Sequence, residues 1–186
     1  ICADPFRRIQ DAIDPANNSD TIEIQPGIYS GPGNYELDPG GKNITIRSID
    51  PKDASAVAST IIDTGGAGRG FYFHSGEDAN CTVAGLTITN GHVTSLLYGG
   101  GVYCFYSSPT IRDCIIKNGR AQDSGGGIYC DFGNPRIINC ALTGNSADFG
   151  GGIGCFYSSP QIIECIISGN TAVEQGGGLD LLLSGP

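Results

Sequence analysis

Six of the eight cysteines fall into two columns of an internal repeat. Cys104, Cys130 and Cys155 each precede a proline by five residues, and Cys114, Cys140 and Cys165 each follow one by five. Period-two alternation of apolar residues around them turns both columns inward. Two readings stay open. One is a ladder of buried thiols acting as small apolar packing units. The other is disulfides across each repeat, Cys104–Cys114, Cys130–Cys140 and Cys155–Cys165. The sequence has no CxxC pair and no Cys/His cluster, so the pattern does not read as a metal centre. Cys2 and Cys81 belong to neither column.

A second column is aromatic: Tyr106, Phe132 and Tyr157, beside the column Phe105, Asp131 and Phe156. Aromatic faces with a polar rim suit sugar rings, which makes this a carbohydrate platform. An internal ladder closing a corner of the fold is the plainer alternative, and the pattern favours it. The two histidines, His74 and His92, stand at the ends of strand-like runs. With Arg47, Arg69 and Asp63 they are the residues that could line a groove for acid–base chemistry on a polysaccharide. Asp113, Asn139 and Glu164 supply at most one carboxylate per repeat, a thin shell for Ca²⁺, and read as a bend. The expectation is therefore no cofactor, with Ca²⁺ the one ion these acids would admit. Asn17, Asn43 and Asn80 sit in N-x-S/T strings, which matter only in a host that N-glycosylates.

These residues are positioned by a repeat. Residues 99–124, 125–149 and 150–175 align as Gly-Gly-Gly segments, and a fourth copy opens at Gly176. From Cys114, Cys140 and Cys165 seven residues lead to Ala121, Ala147 and Ala172, and then four, three and four to the next glycine triplet. All length variation thus falls in one turn, as in a solenoid. Short Ile- and Val-rich runs broken by Gly, Pro, Asn and Ser are strands, and a repeat of about 25 residues is too short for two packed helices. The fold class is all-β: a right-handed parallel β-helix with three strands per coil. Strands are expected at Thr21–Gln25, Asn43–Ser48, Thr60–Asp63, Gly70–His74 and Thr82–Thr89. About seven coils would make a rod roughly 35 Å long. Residues 5–13 read as a short amphipathic capping helix, with Asp4 as N-cap, Pro5 in the first turn, and Phe6, Ile9 and Ile13 on one face. One domain spans 1–186: a cap (1–20), irregular coils (21–98) and regular coils (99–186).

The net charge of −9 and the 10 Lys and Arg residues exclude a nucleic-acid binder and disfavour polyanionic partners. No apolar run approaches the ~20 residues of a membrane span. Pro186 aligns with Pro109, Pro135 and Pro160, so the last coil is expected to be incomplete and the parent chain to continue. An open coil at 176–186 would offer strand edges for end-to-end self-association.

The opening FRRIQDAIDPANNSDTIEIQPGIY, with GKNITIRS and VAGLTITNG, resembles the cap and coils of the pectate-lyase-like β-helix superfamily. The GGGIYC…P.I..C.I.GN.A frame is similar to the chlamydial polymorphic membrane proteins, which are autotransported adhesins. A third Gly stands where their motif has Ala, and CIISGN-type strings replace FxxN. The resemblance implies an extracellular or cell-surface location. It spans lyases, hydrolases, esterases, adhesins and passive stalks, so it does not select a chemistry. The lyase pattern around Arg and the hydrolase Arg-x-Lys string are missing. The function expected is a non-catalytic structural or adhesive segment of a larger surface or filament-forming protein. The alternatives are a polysaccharide lyase or hydrolase and a carbohydrate-binding module, each with a glycan ligand.

Overall fold

In the computed structural model, which describes residues 8–94 and 98–183, the repeat frame closes into stacked coils. Helix α1 (Ile9–Ile13) precedes the first coil, which holds β1 (Thr21–Ile24) and β2 (Gly27–Ser30). The second coil holds β3 (Thr45–Ser48), helix α2 (Ala54–Ser59), β4 (Thr60–Asp63) and β5 (Phe71–Phe73). The third holds β6 (Thr82–Ala84), β7 (Thr87–Thr89), β8 (His92–Val93) and β9 (Val102–Phe105). The fourth holds β10 (Thr110–Arg112), β11 (Ile115–Lys117), β12 (Arg120–Ala121) and β13 (Ile128–Asp131). The fifth holds β14 (Arg136–Ile138), β15 (Ala141–Thr143), β16 (Ser146–Phe149) and β17 (Ile153–Phe156). The sixth holds β18 (Gln161–Ile163), β19 (Ile166–Ser168), β20 (Thr171–Gln175) and β21 (Leu179–Leu182).

Every named strand pair is parallel and joins successive coils. The strands form four faces. The first is β1-β3-β6-β10-β14-β18 and the second β2-β4-β7-β11-β15-β19. The third is β8-β12-β16-β20 and the fourth β5-β9-β13-β17-β21. Six strands on each of the first two faces make six coils among the described residues, not seven. The runs 43–48, 60–63 and 70–74 are three sides of one coil, which lowers the count. Thr82–Thr89 is two strands, because Gly85 turns the chain at φ 67°. The second coil has the expected three strands, and later coils add the short third face. That face occupies the turn of variable length, and a register shift between Ala147 and Phe149 absorbs the missing residue.

The core is a set of straight columns. Ile46, Val83, Ile111, Ile137 and Ile162 line the first face from inside. Ile62, Ile88, Ile116, Leu142 and Ile167 line the second. Phe71, Val102, Ile128, Ile153 and Leu179 line the fourth, next to Phe73, Cys104, Cys130, Cys155 and Leu181. In-register stacking gives each apolar side chain a like neighbour above and below, which is how a narrow coil buries a continuous core.

Helix α1 closes the open end of this core with buried Ile9 and Ile13. Asp4, Pro5 and Phe6 lie outside the described residues, and the position before the first helical residue is Arg8, whose side chain makes no capping bond. The helix is held instead by long-range partners. Ile9 N donates to Asn34 Oδ1 at 2.8 Å, and Lys42 Nζ donates to the Ile13 carbonyl at 2.6 Å. Helix α2 does not appear in the apolar periodicity. Its start is written in Asp53, whose carboxylate accepts from Ser55 N and Ala56 N as an N-cap. No described helix is long and apolar enough to cross a membrane.

Candidate functional site

Alternation along β9 points Val102 and Cys104 inward and Tyr103 and Phe105 outward. Continued one residue further, it would bury Tyr106. The backbone breaks the alternation there: Tyr106, Phe132 and Tyr157 have φ of 48°, 51° and 45°. This left-handed turn swings all three rings to the surface, where they are 57%, 41% and 51% exposed. The expectation of an internal ladder is overturned by this bend. Tyr106 and Phe132 have centroids 4.9 Å apart and planes within 5°, and Phe132 and Tyr157 5.1 Å and 8°. These separations match the coil spacing of about 4.8 Å, so the rings stack one per coil along the axis.

Edge-on rings brace the ladder from beneath. Phe105 meets Tyr106 at 4.7 Å and 82°, and Phe156 meets Tyr157 at 4.6 Å and 85°. A bulky residue in the left-handed region costs roughly 1–2 kcal/mol. Each stacked or edge-on pair returns about 0.5–1.5 kcal/mol. Asparagine or glycine would make the same bend at lower cost, so three aromatics in succession here point to a use for the rings.

A second aromatic column runs along the outer side of the fourth face. Tyr72, Tyr103 and Tyr129 stand in register, followed by Gly154 and Asp180. Arg69 lies beneath it, fully buried, with its guanidinium 4.8 Å from the Tyr72 ring centre and 5.2 Å from that of Tyr103. Its Nη1 donates to Glu36 Oε2 at 3.3 Å, while Nε and Nη2 have no partner among the described residues. Burial pulls the guanidinium below its usual range, and Glu36 and the two tyrosines oppose that. The Tyr103 hydroxyl donates to Asp131 Oδ2 at 3.1 Å, and burial pushes the Tyr103 phenol far up. Burial also raises the Asp131 carboxyl, a shift that this hydrogen bond opposes.

The five groove candidates do not converge. Arg47 is on the first face, bound to Glu23 Oε2 at 2.8 Å. Asp63 ends a strand of the second face and accepts from Asn90 Nδ2 at 2.9 Å. His92 is exposed on the third face, next in register to Arg120. Arg69 is buried under the fourth, and His74, just beyond β5, pairs with Asp38 at 3.2 Å. Four faces share the five side chains, because each was picked by residue type and the coil path separates them. The acid column is a bend, with φ of 55°, 49° and 54° at Asp113, Asn139 and Glu164. Asp113 accepts there from Arg112 Nη1 and Asn139 Nδ2. The described residues contain no group of three or more His, Cys, Asp or Glu placed to hold a metal.

The described cysteines are free thiols. Cys104 is on the fourth face, whereas Cys114 sits at the bend between the first and second. Cys104, Cys130 and Cys155 instead stack in register from coil to coil. Parallel strands keep stacked Cβ atoms near the strand spacing of about 4.8 Å, beyond the roughly 3.5–4.5 Å that a disulfide needs. Burial lifts the Cys104 thiol well above its usual range.

Two features of this region were not expected from residue types, the Tyr72–Tyr103–Tyr129 column and buried Glu77, and Arg69, expected in a groove, is instead buried beneath that column. Glu77 accepts from Gly41 N, Ser75 N and Ser107 Oγ. The tyrosine column had a signal, since Tyr103 and Tyr129 each precede a repeat cysteine. Glu77 had none, because apart from Ser75 its partners lie 36 and 30 residues away.

Residues 27–186 match the family model described as right handed beta helix region. No curated protein and no solved structure matches the chain.

Proposed function

Because the chain belongs to the right-handed β-helix family, whose coils set one side chain per turn along a straight line, we propose that it is an extracellular, non-catalytic solenoid that binds glycan chains. The observation that carries this reading is the exposed Tyr106–Phe132–Tyr157 ladder. The advance per coil, about 4.8 Å, is close to the length that one residue adds to an extended sugar chain. Successive sugar residues can therefore meet successive aromatic side chains. The scatter of Arg47, Asp63, Arg69, His74 and His92 over four faces favours binding over lyase or hydrolase chemistry. The net charge of −9 favours glycans that are not polyanionic.

The test is affinity electrophoresis through gels containing neutral or acidic polysaccharides, with wild type and a Tyr106→Asn/Tyr157→Asn variant. Asparagine tolerates the left-handed backbone, so the coil corner is retained. Retardation by a neutral polysaccharide that the variant loses is the expected result. A wild type that no polysaccharide retards, or a variant retarded equally, would overturn the reading.

A second reading, end-to-end association of copies, rests on the last described coil. Leu179 and Leu181 continue buried columns of the fourth face yet are exposed, as is Leu182 on the same strand. A further coil, from this chain or another copy, would cover them. Residues 184–186 of the segment expected to mediate this lie outside the described residues. Sedimentation should show concentration-dependent association that Leu181→Lys abolishes; a monomer at all concentrations would remove this reading.

A further inference from the structure

The outward tyrosine column stops at Tyr129. Gly154 comes next, and a Cβ there would lie 2.3 Å from Ser124 Oγ and 3.0 Å from Tyr129 Cδ2. No side chain fits at that step, so Tyr129 and Ser124 settle over the glycine. Beside them opens a groove of ≈ 470 Å³. Tyr129, Phe132 and Phe156 line it, together with Asp123, Asp131 and Asp180.

The charge in this groove is one-sided. No Lys or Arg is among its lining residues. No ion pair among the described residues reaches any of the three carboxylates; the five that exist lie elsewhere. The guanidinium of Arg69 is not part of the lining and pairs with Glu36 beneath the tyrosine column. Asp131 Oδ1 is buried and has no hydrogen-bond partner, although Oδ2 is taken by Tyr103. Burial raises the Asp131 carboxyl, and burial with Asp148 raises that of Asp123, as expected of carboxylates without a counter-charge.

Aromatic walls with carboxylates and no cation form the chemical complement of an organic ammonium. We propose that the groove is an amino-sugar subsite, binding the protonated primary amine of a hexosamine among Asp123, Asp131 and Asp180, with aromatic side chains against the apolar face of the ring. Phe132 belongs both to this groove and to the exposed ladder, so the subsite continues the platform. This inference rests on the glycan-binding reading and specifies which glycan: one carrying free amines. A neutral sugar would leave three carboxylates uncompensated, and a uronic acid would be repelled.

The experiment is calorimetric titration with β-1,4-linked oligomers of equal length made of glucosamine, N-acetylglucosamine or glucose. The glucosamine oligomer is expected to bind at least about tenfold more tightly than the other two. Asp131→Asn/Asp180→Asn should remove that preference. Asp50→Asn/Asp78→Asn, which removes the same charge from exposed loops, should keep it. Asp180→Asn alone must weaken the preference too, so the test survives if the double variant fails to fold. Equal affinity for all three oligomers, lost in the Tyr106→Asn/Tyr157→Asn variant, would overturn the amine subsite and leave the ladder standing. A preference lost equally in the Asp50/Asp78 variant would reduce it to long-range attraction and also overturn it. Binding of none of the three would overturn the amine subsite, while retardation of the same protein in the polysaccharide gels decides the ladder reading separately.

Discussion

A thiol in the middle of a coil is a small apolar group here, not a reagent. Cys130 sits between Cys104 and Cys155 with no exposure. Replacing it with serine puts a hydroxyl among apolar neighbours, so Cys130→Ser should cost roughly 1–3 kcal/mol more than Cys130→Ala. Urea denaturation of the two variants measures the difference. Burial pushes the Cys81 thiol up to about 12, so its thiolate is scarce at neutral pH. Asp131 carries a pH prediction with a defined sign. Its carboxyl is raised above the ordinary 3.8, so the folded chain holds this proton more tightly than the unfolded chain does. The charged form weighs against folding at neutral pH, and that cost fades as pH falls through the folded value. Asp131→Asn should therefore melt above the wild type at pH 7, with the gap closing toward about pH 4. A gap that widens on acidification would contradict this assignment.

Coil corners and rungs hold the elements together. Asn145 is a buried rung: its Oδ1 accepts from Gly119 N at 2.8 Å and its Nδ2 donates to the Ile116 carbonyl at 3.0 Å. Asn170 repeats the bond one coil on, donating to the Leu142 carbonyl at 2.9 Å. Asn145→Ala would orphan a buried donor and a buried acceptor, at about 1–3 kcal/mol each. Thermal unfolding should show a loss well above that of an exposed Asn118→Ala. The glycine triplets act through space rather than through φ alone. A Cβ on Gly126 would come within 2.4 Å of the Ser146 carbonyl oxygen and 2.6 Å of that of Gly151. Backbone of the next coil cannot yield as a side chain can, so Gly126→Ala should prevent proper stacking. At Gly169, φ is 62° with nothing within 4 Å of a new Cβ, so Gly169→Ala should cost only about 1–2 kcal/mol. Circular dichroism melts of the pair separate crowding from backbone strain.

At the scale of the molecule, each coil leans only on its neighbours, so stability is shared along the axis. Helix α1 matters because its buried Ile9 and Ile13 cover the inner side of the first described coil. Ile13→Ala should cost about 2–5 kcal/mol. Hydrogen exchange should place the loss first in β1 and β2, with the fourth and fifth coils still protected. Uniform loss of protection over all coils would show that the rod unfolds as one unit.

Periodicity alone determined the parallel β-helix, the inward cysteine columns and the one elastic turn. Side-chain direction in a strand has period two, and equal spacing in the chain becomes equal height in the stack. The same rule misplaced Tyr106, Phe132 and Tyr157. It holds only while the backbone stays extended, and a positive φ at each corner turns an inward ring outward. The split of Thr82–Thr89 at Gly85 has the same cause. What the tertiary structure alone decided is which outward residues meet. Arg69 under Tyr103, Glu77 among donors from two other coils, and three aspartates around the Gly154 step are pairings across a coil or more. A local reading of residue types carries no distance between them; only closure of the coil brings them together.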